Sequence, residues 1–256
     1  MSSSPFLLLS PALPSELLTY ILNHHIHPTT LVICSSRLEF LACLADDVLQ
    51  GTAHPDEVAP GEHSARTSTS APTPEIQDMK QEQARQRQHR LLSSPLYQIA
   101  TSRHIRVVYI PTVTHLRAYL SVFSPDDSKV PTPPASLNSS GKYTPCIILY
   151  GFLEMHRDTS EWSAQGLGNS ASALVELGYR LSWQTIVIEP RKHISTLSFE
   201  DSLREDVPFL SGGGRRLGPD AEAGGWTGRT VEVGRVMKRW FDFQLGEWDI
   251  NLNENK

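Results

Sequence analysis

The sequence predicts an α/β protein built on a mainly parallel sheet, and three observations carry that expectation. An unbroken apolar run at Cys146–Tyr150 suits a strand buried on both faces. A strand pattern at Thr30–Cys34 passes through a short Ser-Ser turn directly into a helical pattern, the opening of a βα unit. From there to Glu189 strand and helix patterns alternate, which calls for crossovers between parallel strands. A chain of 256 residues with 39% hydrophobic and 8% aromatic residues suits one such core together with some disordered sequence.

Taken in order, residues 1–29 read as an N-terminal extension with a short amphipathic helix over Leu13–Leu22, Pro14 near its start and Ser15 available as a cap. The stretch MSSSPFLLLSPALP is apolar, but it lacks a basic n-region and prolines interrupt it. Neither a signal peptide nor a membrane span is expected. After the Thr30–Cys34 strand, Leu38, Leu41, Leu44, Ala45, Val48 and Leu49 recur at helical spacing. Residues 51–90, dominated by Pro, Ser, Thr, Ala and Gln, cannot bury enough apolar surface to offset their ordering entropy and read as a disordered insertion.

Order is expected again in a helix from Leu91 to Ala100, a strand at Arg106–Ile110 and a helix at Val113–Phe123. A second insertion at 124–142 contains VPTPPAS and reads as a loop. Beyond the Cys146–Tyr150 strand, Asp158 and Glu161 form a D-x-x-E start signal for a long helix reaching Leu181. Gly178 on its apolar face permits close packing on the sheet, and Thr185–Glu189 follows as a strand. A polar loop with SGGGRR and AEAGGW comes next. Arg229–Val236 and Lys238–Phe243 then read as two β runs forming an antiparallel C-terminal edge. The folded domain thus spans 30–250, interrupted by the two insertions.

The residues that would bind and split a nucleotide are missing. A phosphate-binding turn needs glycines, a lysine and a Ser or Thr for magnesium. The first strand-to-helix turn read from the sequence, Cys34-Ser35-Ser36-Arg37-Leu38-Glu39, has no glycine and no lysine, and Ser35 and Ser36 read as helix caps. The buried strand ends Leu149-Tyr150-Gly151, with the nearest acid at Glu154 beyond it. No catalytic residue and no cofactor is therefore expected. Metal binding is not expected either, because His24, His25 and His27 have no Cys or carboxylate at ligand spacing. Ser163 and Ser172 fall in a helical pattern without a G-x-S-x-G elbow, so His156 and Asp158 do not make a hydrolase. The cysteines, Cys34, Cys43 and Cys146, lie far apart and read as reduced thiols. A net charge of -5 means that nucleic-acid binding must come from a local patch or a partner.

The segment PCIILYGFLEMHRDTSEWSAQGLGNSASALVELGYRLSWQTIVIEP resembles the middle of RecA-family recombinases and their paralogues. There a hydrophobic strand leads through a basic-acidic loop to a long helix and a strand ending near a polar residue. TVEVGRVMKRWFDF resembles that family's C-terminal β segment. The resemblance implies a degenerate RecA-like domain, a mainly parallel sheet flanked by helices. Family members without phosphate loops include recombination-mediator subunits of the Shu complex type and the recombinase-like subunits of Elongator. It implies a non-catalytic, nuclear subunit that pairs with a related recombinase-like chain in homologous-recombination repair. The alternative is a cytoplasmic scaffold subunit in tRNA wobble-uridine modification. In that family the loop after a strand at the carboxyl edge contacts single-stranded DNA. This suggests Arg191, Lys192, Arg215, Arg216 and Arg229 for phosphates and Trp226 for base stacking. Trp240, Phe241 and Phe243 make both faces of the last strand apolar and suggest a subunit interface.

Overall fold

A computed structural model describes residues 5–24, 27–53, 96–127, 130–133, 145–191, 199–209 and 229–253. Within them, β1 (Phe6–Ala12), β2 (Thr29–Ile33), β3 (Ile105–Tyr109), β4 (Cys146–Tyr150), β5 (Gln184–Pro190) and β8 (Asp242–Gln244) form one six-stranded sheet of order β3-β2-β4-β5-β1-β8. Every pairing in it is parallel. A separate antiparallel pair joins β6 (Asp206–Pro208) to β7 (Thr230–Glu232). The mainly parallel α/β sheet read from the sequence is thus present, in an arrangement consistent with a RecA-like layout.

Successive strand side chains point to opposite faces, and here both faces are covered. Leu8, Val32, Ile147, Leu149 and Val187 face one layer. That layer contains α4 (Val113–Val122), α5 (Phe152–His156), α6 (Ala164–Leu181) and α8 (Val233–Met237). Leu7, Leu9, Leu31, Ile33, Ile148 and Ile186 face the other, where α1 (Pro14–His24) brings Leu17 and Ile21 and α2 (Arg37–Ala53) brings Phe40. The remaining helices are short: α3 (Leu96–Ser102), α7 (Phe199–Arg204) and α9 (Glu247–Asn253).

Four expectations are corrected. Residues 1–29 are not a separate extension, because β1 lies inside the sheet between β5 and β8. Pro11, which interrupts the apolar run, falls where the β1–β5 register shifts between Leu9 and Ala12, a place where a missing N–H is tolerated. The long helix does not start at Asp158, which has φ 61 in the loop. Its N-cap is Ser163, whose hydroxyl accepts from the Gly166 amide at 3.1 Å. Third, Arg229–Val236 and Lys238–Phe243 are not two β runs. The pattern of VEVGRVM also places Val233, Val236 and Met237 on one helical face, and α8 buries all of them. The C-terminal edge strand β8 is parallel to β1, and the antiparallel pair lies off the main sheet. Finally, the polar stretch after Pro190 contains α7 and β6. Of the two insertions, residues 54–90 and most of 124–142 lie outside the described residues, while 51–53 continue α2.

Candidate functional site at the carboxyl edge of the sheet

The crossover after β2 leads outward to β3, whereas the one after β4 leads toward β5, so the chain diverges between two adjacent strands. In open parallel sheets the crevice outside the carboxyl ends at such a point is where ligands sit. Helix N-termini at that edge would offer free amides to an anion. Here the chain's own carboxylates hold them. At α1, the Leu13 amide donates to Glu16 Oε2 at 2.8 Å, and the Ser15 amide donates to Asp47 Oδ2 at 2.8 Å. At α2, Ser36 and Glu39 form a reciprocal capping box, amide to carboxylate at 2.9 Å and amide to hydroxyl at 3.2 Å. These bonds hold the Glu39 carboxyl below its ordinary range. At α5, Glu189 from the end of β5 accepts from the amides of Leu153 (2.8 Å) and Glu154 (3.4 Å). Ser36 caps its helix as the sequence suggested.

Between β1, β5 and α9 a second set of contacts closes the edge. The Arg191 guanidinium spans Glu16 Oε2 at 2.7 Å and Asp249 Oδ1 at 3.2 Å, and its amide donates to the Ala12 carbonyl at 2.9 Å. Ser10 Oγ donates to Asp249 and accepts from the Gly246 amide at 2.9 Å. Tyr150 Oη donates to the Ala12 carbonyl at 2.9 Å. The true first strand-to-helix turn, Ser10-Pro11-Ala12-Leu13-Pro14-Ser15, also contains neither glycine nor lysine. Cys34, at the end of β2, is buried, and burial together with the Glu189 charge pushes its thiol up. The edge is an acid-lined and internally hydrogen-bonded surface.

Arg191 is engaged by two carboxylates, so a phosphate would have to displace them. Arg229 is exposed and gives its carbonyl to the Phe209 amide at 2.7 Å. Lys192, Arg215, Arg216 and Trp226 lie outside the described residues. Phe241 is buried, while Trp240 and Phe243 are half-buried against the same core. His24 sits 2.9 Å from Glu247, and His25 lies outside the described residues.

One polar cluster was not legible beforehand. His156 Nε2 lies 2.8 Å from Ser170 Oγ, and its Nδ1 faces the Phe152 carbonyl at 2.7 Å. Arg117 donates to Ser170 Oγ, to Glu161 and to the Gly166 carbonyl. The pair mimics a serine nucleophile with its base, but both side chains are fully buried and the histidine's second nitrogen meets a carbonyl. It ties α4, α5 and α6 together and has no route to substrate.

Two buried groups set a pH dependence. Burial lifts the Glu189 carboxyl to about 8, outweighing the amide hydrogen bonds that favour its charge. Burial lowers His156 to about 4. Folded Glu189 keeps a proton that the unfolded chain, at the ordinary 4.5, has released. Its contribution is complete below 4.5 and is lost as pH rises through about 8. The His156 contribution is present above 6.5 and is lost as pH falls through about 4. Between pH 6.5 and 8 only the Glu189 contribution changes of the two, so the urea midpoint should fall across that interval. Glu189→Gln keeps an acceptor for the Leu153 amide and has no proton to lose, so it should flatten that limb. Parallel limbs in both proteins would show that Glu189 ionises normally.

The fold and this edge define a parallel α/β protein whose ligand-facing helix termini are closed by its own acids. No protein family, curated protein or solved structure matches the chain.

Proposed function

We propose that this chain is a non-catalytic recombinase paralogue that acts by binding, pairing with a related recombinase-like subunit in homologous-recombination repair. One observation carries the non-catalytic part. Glu16, Asp47, Glu39 and Glu189 take the amides that a phosphate would need, so a nucleotide would meet occupied donors. Partner binding is supported by apolar side chains left at the surface near the β3 end of the sheet. Leu38, Leu41 and Leu49 on α2 and Val107 on β3 are exposed. Trp240 and Phe243, beside or on the edge strand β8, supply part of a second surface. DNA contact, if made by Lys192, Arg215, Arg216, Trp226 and Arg229, adds to partner binding, since the chain's charge is -5. Among the described residues no helix is long and apolar enough to cross a membrane.

Purification of the tagged full chain from its own cells tests this reading. The expected result is stoichiometric recovery of a recombinase-like subunit with repair factors, from nuclei, and no magnesium-dependent ATP turnover by the isolated chain. Recovery of Elongator subunits would replace repair with tRNA modification, and saturable ATP hydrolysis by the chain alone would overturn the non-catalytic reading.

A further inference from the structure

The opposite, amino edge of the sheet carries a small, partly open pocket with a different electrostatic character. His27, His104 and Arg106 line it together with Thr29, Thr30 and Trp183, and no carboxylate is among its described lining residues. Arg106 Nη1 and His27 Nδ1 are closed off from solvent and make no hydrogen bond to any described residue. A guanidinium can only donate, so a buried N–H left without an acceptor is costly, and more so on a charged group. The aromatic rings of Tyr119 and Phe123 hold the group in place, with centroids 5.7 and 5.6 Å from Arg106 Cζ. These rings satisfy its face but not its N–H edge. His104 is oriented by the Pro131 carbonyl, 2.7 Å from Nδ1.

We propose that this pocket is a binding site for a small oxyanion, taken through one or two of its oxygens by Arg106 and His27. The chemistry follows from the donors. A guanidinium edge and an imidazole nitrogen beside two threonines, with no acid among the described lining residues, form the complement of phosphate, sulfate or a carboxylate. The site is independent of the binding-subunit reading, because it lies at the other end of the strands from the acid-lined edge.

Equilibrium dialysis of the full chain with labelled orthophosphate, at ionic strength held constant with sodium chloride, tests it. We expect one saturable site, displaced by sulfate and not by chloride. Arg106→Met, which keeps the apolar stem, and His27→Leu should each weaken binding by about tenfold or more. Arg106→Lys, which keeps the charge but loses the fork, should fall between them and the parent. Should Arg106→Met fail to fold, the His27→Leu and Arg106→Lys isotherms decide. Absence of saturable uptake by the parent chain, or isotherms unchanged in the folded variants, would overturn the proposal.

Discussion

Gly178→Val is expected to lower the stability of the chain by about 3–4 kcal/mol, at the upper end for overpacking a core. A Cβ built at Gly178 would stand 2.7 Å from Thr185 Cγ2 and 2.8 Å from Phe6 Cε1, with the Trp183 carbonyl at 3.3 Å. Both side chains belong to interior strands, β5 and β1, whose registers hold them from either side. Neither the helix nor the strands can withdraw without opening the larger of the two cores. Alanine should cost less, since its gain of about 1 kcal/mol in helix propensity over glycine offsets part of the clash. Glu176→Val, on the exposed side of the same helix, is the control and should lose only a few tenths of a kcal/mol. Urea midpoints check all three. A Gly178→Val midpoint equal to that of Glu176→Val would mean that α6 sits farther from the sheet than it does here.

The close approach at Gly178 was legible because it lies on a long helix with an unambiguous face. The same holds for β2, β4 and β5, whose continuous apolar runs have few other uses than burial on both faces. The first strand was hidden by its own prolines. Pro11 and Pro14 look like breakers, yet one sits at a register shift and the other at the first position of α1, where a missing N–H costs nothing. The C-terminal elements run to only 3–7 residues each, too short for a period of two to be told from one of 3.6.

The same division runs through the candidate site. Ser36 with Glu39, and Leu13 with Glu16, are three residues apart, so their capping role is local and can be read from spacing. Asp47 and Glu189 perform the same task from 32 and 36 residues away. Nothing local marks a mid-helix aspartate or a strand-end glutamate as the partner of a distant helix terminus. The acid-lined character of the edge therefore emerges only when β1, β4 and β5 are brought side by side. It also turns the missing phosphate loop from an absence of motif into a chemical substitution: carboxylates stand where a nucleotide-binding protein would keep amides free.

Arg191 shows how that substitution alters the reading of a basic residue. In sequence it follows a strand and adjoins Lys192, the pattern of a phosphate contact; in the fold its two terminal nitrogens are taken by Glu16 and Asp249, 175 and 58 positions away. Arg191→Met is expected to destabilise the chain by about 2 kcal/mol. That lies between the ~0.2–1 kcal/mol of an exposed pair and the ~3–5 kcal/mol of breaking a buried one. The partners' side chains are only 25% and 22% exposed, so the two carboxylates left behind are incompletely solvated. Adding Asp249→Asn removes one of those uncompensated charges, so it should cost less in the Arg191→Met background than in the parent, with a coupling of about 1 kcal/mol that shrinks in high salt. Strict additivity would show that Arg191 and Asp249 do not interact in solution. The same variant speaks to DNA. If Arg191 serves the fold, the purified complex should bind single-stranded DNA with an unchanged salt slope. A slope shallower by about 0.7, one single-strand phosphate, would put Arg191 among the DNA contacts and make its carboxylate partners a resting arrangement that DNA displaces.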